Sequence, residues 1–274
     1  MQRNSYTFFL FAVVFVSLAT AGCDKLRARD KLNKGVQAYK SAQFDVAIDD
    51  FKSAKELDPT LTNAQLYLAT AYASQYIPGA PSAENVRNGD QAVKEFQAIL
   101  STDPNNLSAI DGIGSILYNM AGTPYDASKL EESKKYHEKH IQLKPDDPEP
   151  YYWIGVIDWS LAYRGNKDLR EEYNNTAKKT IKESDPMLEK LASQFASKYG
   201  SVVDEGITNL KKAIELKPEY DDAMAYLNLL YRQKADTETA AAARDADIKV
   251  ADSLVDKVKA IKQKKMETPQ QPTS

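Results

Sequence analysis

The stretch "GVQAYKSAQFDVAIDDFKSAKELDP", residues 35–59, decides how this chain is read. Gly35, Ala47, Phe51, Ala54 and Pro59 fall at offsets 0, 12, 16, 19 and 24. Ala47, Phe51 and Ala54 recur at helical spacing, so they share one face. Pro59 ends the run, because proline disfavours helix for the residue before it.

The same closing signature returns three times. "ELDPT", "STDPNN", "QLKPDD" and "ELKPEY" place prolines at 59, 104, 145 and 218. Behind Pro104 stand Ala69 and Tyr72, then Ala92, Phe96 and Ile99. Behind Pro145 stand Ala109 and Gly114, then Ser133, His137 and His140. Behind Pro218 stand Ile154 and Gly155, then Gly206, Leu210 and Ala213. A further half-unit carries Ala223, Leu227, Leu230 and Tyr231. Repetition at such a period signals a stacked helical array, in which no single unit buries its apolar face alone.

The pattern over residues 28–235 resembles the tetratricopeptide repeat (TPR), a 34-residue pair of antiparallel helices. The resemblance implies an all-α, TPR-type helical solenoid of four to five repeats, spanning 30–235. Small residues would mark close helix crossings, and large apolar residues would fill the space between.

The proline spacings are 45, 41 and 73 residues, which exceed 34 by 11, 7 and 39. Counting from the small residue of each first helix puts all three excesses between the two helices of a repeat. "YIPGAPSAENVRNGD" and "AGTPYDAS" carry the Gly, Pro and Ser that mark loops. The long excess, about 164–204, contains two helical stretches, "LREEYNNTAKKTIKE" and "PMLEKLASQFASKYG". Asp185 reads as a helix start and Gly200 as a stop. The expectation is an added helical pair; the alternative is a flexible charged excursion. A capping helix is expected over 236–265, with Ile248, Ala251, Leu254, Val255, Val258 and Ile261 on one face. Its crowded lysines suit a solvated helix end, or contact with anionic lipid. Residues 266–274 read as a disordered tail.

The amino terminus carries a different signal. Arg3 precedes an apolar run from Phe8 to Val16, then Ala19, Thr20, Ala21, Gly22 and Cys23, the chain's one cysteine. This is the plan of an export signal. Ala21-Gly22-Cys23 resembles the lipobox of bacterial lipoproteins, although Thr20 stands where leucine is usual. The resemblance implies cleavage after residue 22, lipid on Cys23 and a short linker over 23–29. It further implies anchorage to a membrane of the cell envelope, facing the periplasm or exterior. The alternative is an uncleaved anchor. Removing 1–22 takes only Arg3 from the charge, moving it from −3 to −4. Such a mixed, mildly acidic chain lacks the basic stripe of a nucleic-acid binder.

Catalytic chemistry has little to build on. His137 and His140 are spaced to share a metal, but they occupy packing positions of a second helix and no third ligand is near. "GIG" at 112–114 lacks the strand and third glycine of a dinucleotide loop. The expectation is therefore no enzyme, no metal and no cofactor. The TPR resemblance implies protein partners, met on the first helices. The family's contact positions give Tyr39, Lys40, Tyr118, Asn119, Tyr152 and Trp159, among others. Only Lys40 and Asn119 match the family's clamp for a terminal carboxylate, which leaves an aromatic groove. Aromatic side chains anchor interfaces; the competing reading packs these rings inside. An envelope polymer or glycan, or a passive spacer role, are the alternative functions.

Overall fold

The computed structural model describes residues 23–122, 124–177 and 180–267, and every regular element among them is a helix. The expected signal segment, 1–22, and residues 268–274 of the tail lie outside the described residues. The chain divides into two compact units after Asp126. Unit 1 holds α1 (23–40), α2 (Phe44–Leu57), α3 (Thr62–Gln75), α4 (Ala83–Thr102) and α5 (Leu107–Met120). Unit 2 holds α6 (Ala127–Leu143), α7 (Pro148–Thr176), α8 (Glu189–Leu216), α9 (Asp221–Thr237) and α10 (Ala241–Glu267).

Unit 1 is built on the deciding stretch. Ala47, Phe51 and Ala54 are fully buried in α2, against Leu68 and Ala71 of α3. A Cβ on Gly35 would lie 2.5 Å from the Phe51 ring, so the small residue at offset 0 lets α1 approach α2. The turn between them closes as a Schellman motif. The Gln43 amide donates to Ala38 O and the Ala42 amide to Tyr39 O. Ala42 takes the left-handed conformation there, at φ 56°.

The four prolines mark four short turns between helices, at 58–61, 103–106, 144–147 and 217–220. Asn106 and Asp147 cap the helices that follow, accepting from the amides of Ala109 and Glu149. In unit 2, Gly155 repeats the role of Gly35, since a Cβ there would collide with Leu210 of α8.

The inserts differ from the sequence expectation. The loop after α3 is only 76–82; the rest of "YIPGAPSAENVRNGD" is the first part of α4. Buried Asn85 ties the loop through Ile77 and Ala80, and Ser82 caps the helix by accepting from the Asn85 amide. The long insert adds no separate pair. It lengthens both helices of one repeat, so α7 has 29 residues and α8 has 28. Gly200 lies inside α8 with open space about it. The α8 face that buries Leu191, Phe195 and Val203 runs straight past it. Gly165 repeats the crossing device in the extension, because a Cβ there would strike the Tyr199 ring. Residues 23–29 are not a linker but helical, part of α1, with Ala28 already fully buried. At the other end, α10 lies against α9 through Ala251 and Leu254, with Val258 and Ile261 beside them.

Candidate functional site

Residues 152, 159 and 163 are separated by 7 and 4 positions, which returns each to the same face of α7. Tyr226 of α9 stands between them. Its ring centroid is 5.8 Å from that of Tyr152 and 5.3 Å from that of Trp159, both edge to face. Trp159 stacks on Tyr163 at 5.3 Å, and Tyr152 meets Tyr220 of the α8–α9 turn at 5.1 Å. The result is an aromatic strip running from Tyr220 to Tyr163. Tyr152, Trp159, Tyr163 and Tyr226 are each half-buried, and Tyr152, Trp159 and Tyr226 pack against the core. Edge-to-face pairs at these separations hold the rings in place beyond what burial gives.

The ends of the strip are polar. At one end the Lys217 ammonium lies 3.9 Å from the Tyr220 ring centre, and the Tyr220 hydroxyl donates to Glu149. Burial and that carboxylate push the Tyr220 phenol up, so it stays a donor. At the other end, Tyr163 lines a cleft of 240 Å³ with Asn166, Lys167, Glu171, Asn174, Ile181 and Glu183. Ile181 and Glu183, from the segment before α8, form one wall. Arg170 secures it, donating to the carbonyls of Lys182 and Asp185, to Asn166 and to Asp236 of α9. Asn174 adds two bonds to the backbone of Ile181.

Of the residues expected to line a groove, Tyr152 and Trp159 therefore come together through Tyr226. Val156, between them, is buried. Tyr39, in unit 1, packs edge to face on Phe44 and shares a hydrogen bond of 2.9 Å with Ser74 of α3. Lys40 is exposed at the end of α1. Tyr118 is half-buried and Asn119 exposed, near the end of α5. Sequence reasoning missed Tyr163, Tyr220 and Tyr226. Their signal was the same seven- and four-residue spacing on α7, and a second ring position on α9 that the repeat's contact rule skips.

The histidines sit in the core. His137 is 1% exposed and stacks on Trp153. Burial, with His140 nearby, lowers it to about 4, so the imidazole is neutral at physiological pH. Among the described residues, no three His, Cys, Asp or Glu gather where a metal could be held. A turn away, buried Lys134 joins Asp158 and Glu205 at 2.8 Å each. Burial pushes Asp158 up to about 7 against the pull of Lys134. Burial also opposes the charge on Lys134, but its carboxylate partners outweigh it and the net shift is upward. Gly206, where the repeat usually has alanine, leaves room: a Cβ would lie 2.8 Å from that of Asp158.

No family model and no curated protein matches this chain. Solved structures do. A crystal structure of the MamA protein aligns at a TM-score of 0.58 and 16% identity, covering 90% of this chain and 98% of that one. The fold is shared. MamA 41-end from Desulfovibrio magneticus RS-1 aligns at 0.56 and 16%, covering 87% and 96%. Another crystal structure of MamA gives 0.55 and 15%, over 85% and 97%. The chain is thus an all-α protein of the TPR-type helical-solenoid class, as its repeat spacing predicted.

Proposed function

We propose that this chain is a membrane-anchored cell-envelope lipoprotein whose TPR helices form a scaffold for other proteins. The observation that carries the binding half is the aromatic strip. Four half-buried rings on first helices offer large, rigid, amphipathic contact area with little side-chain freedom to lose. The proposal is of a binding protein and not an enzyme. The anchoring half rests on the lipobox-like Ala21-Gly22-Cys23 and the apolar run before it. Two or more acyl chains on one cysteine would hold the body at a membrane without a spanning helix. Among the described residues, no helix is long and apolar enough to cross one.

The test changes Tyr152 and Trp159 together to alanine in the full chain. Captured envelope proteins are identified by mass, and the melting temperature is measured alongside. Loss of a captured partner with the melt nearly unchanged supports the strip as the binding surface. Unchanged capture, or a large fall in melting temperature, assigns these rings to the core.

A further inference from the structure

The start of α1 is more than an attachment point. Cys23 is itself helical, and Ala28 and Leu32 already pack into unit 1. The direction of α1 is therefore fixed relative to that unit. On the two turns that follow Cys23, Leu26 is 70% exposed, and Lys25, Arg27 and Arg29 adjoin it in sequence, all exposed. Arg27 pairs with Asp24. Lys25 and Arg29 act through space on Asp58, in the turn between α2 and α3. Residues 23–40 hold six basic and two acidic side chains, on a chain of net charge −3. Ahead of this patch lie 22 residues with one charge and a continuous apolar run.

We propose that the two turns of α1 that follow Cys23 dock unit 1 rigidly on an anionic bilayer, with Leu26 in the headgroup layer and Lys25, Arg27 and Arg29 against lipid phosphates. The proposal rests on the anchored reading above, and it adds what a tether alone would not give, a fixed face toward the membrane. The occupant follows from the chain. Acyl groups on Cys23, or an uncleaved apolar segment, would both meet α1 with no residue between. At 1.5 Å per residue, Arg29 stands about 9 Å along the axis from Cys23. That compares with about 5–8 Å of polar interface on each side of a bilayer. Basic side chains at that depth are attracted by anionic lipid, and the attraction is screened by salt.

Cys23 is the sole cysteine, so once it is acylated an introduced thiol is the only reactive one. Leu26→Cys and, at the opposite end of the hairpin, Val46→Cys are made in the full chain. Each is expressed in a host that processes lipoproteins and checked for incorporation of labelled palmitate. Each is then tagged with a fluorophore and reconstituted in vesicles of roughly 3:1 phosphatidylcholine to phosphatidylglycerol. The label at 26 should be quenched by nitroxide-bearing lipid and shielded from aqueous iodide; the label at 46 should show the reverse. Adding Lys25→Gln and Arg29→Gln, or high salt, should at least halve the lipid quenching at 26. If palmitate is incorporated and the vesicles carry the protein, but iodide reaches both labels equally, the anchor stands and the docking is overturned. If palmitate is absent and the protein does not float with vesicles, both readings fall. If palmitate is absent but the protein floats, the acyl anchor falls, and the same labels in a Cys23→Ser background decide the docking.

Discussion

The two units spend their interiors differently. Unit 1 is closed by small and apolar side chains, with Ala47, Phe51, Ala54, Leu68 and Ala71 between α2 and α3. Of the nine polar or charged residues buried among those described, only Asn85 belongs to it; the other eight are in unit 2. Part of the reason is length. A 14-residue helix such as α2 can close on a single apolar face, whereas α7 and α8 extend nearly 30 residues and outrun the helices beside them. Beyond that edge their packing is completed by Arg170, Asn166 and the folded-back loop. Near their crossing it is completed by the Lys134, Asp158 and Glu205 cluster. Unit 2 should therefore respond to charge removal and to pH, and unit 1 to overpacking.

The largest effect should come from Arg170→Ala. It removes the guanidinium from the Asp236 carboxylate, Asn166 and two backbone carbonyls, leaving Asp236 with the Asn166 amide alone in place of its charged partner. Losing one partner of a buried charged network costs about 3–5 kcal/mol. Amide exchange should speed up across α7, α8 and α9 while α2 and α3 keep their protection.

Next come two opposed titrations. Asp158 is raised above the ordinary 3.8, so it favours the folded state most below that value, and the contribution is lost as pH rises through about 7. His137 is lowered from 6.5, so its contribution is complete above 6.5 and is lost as pH falls through about 4. Between those limits the two slopes oppose. Asp158→Asn should make unit 2 lose stability on acidification, and His137→Phe should make it gain. Each change is expected to be about 2–3 kcal/mol between roughly pH 4.5 and 6.5, read from denaturant melts. Parallel behaviour of the two variants would mean that the groups do not titrate as their burial requires.

Ala47→Leu tests unit 1. Position 47 is fully buried where α2 packs against its neighbours, and overpacking there should cost about 1–3 kcal/mol. A shift well under that range in a denaturant melt would argue against the tight crossing. The smallest effect is a gain. Ala42 occupies the left-handed position of the α1–α2 turn, which glycine adopts without strain, so Ala42→Gly should stabilise by about 0.5–1 kcal/mol. A loss would show that the entropy of a free glycine outweighs the relieved strain.

The repeat was legible because its rule is steric. A glycine or alanine marks a crossing wherever two helices touch, and Gly35 facing Phe51 and Gly155 facing Leu210 obey it. The inserts were misread because local punctuation was taken to outweigh burial. Gly200 and the Asp185-Pro186 pair look like helix ends, yet α8 starts at Glu189 and runs through Gly200, since Phe195 and Val203 need one continuous face. The strip was half legible. Tyr152 and Trp159 follow from the repeat's register, whereas Tyr226 joins them only because α7 and α9 lie side by side. The buried charges left no trace in the pattern, because Lys134 and Asp158 look like any surface pair until three helices close around them.

The binding claim is tested most directly by Trp159 itself. The chain has two tryptophans, Trp153 against His137 and Trp159 in the strip. A Trp153→Phe chain reports from Trp159 alone, and a Trp159→Phe chain from Trp153 alone. Acrylamide quenching is measured for both, with and without the partner identified by capture. The partner should shield Trp159 at least twofold and leave Trp153 unchanged. Equal quenching of Trp159 in the free and bound chains would contradict it.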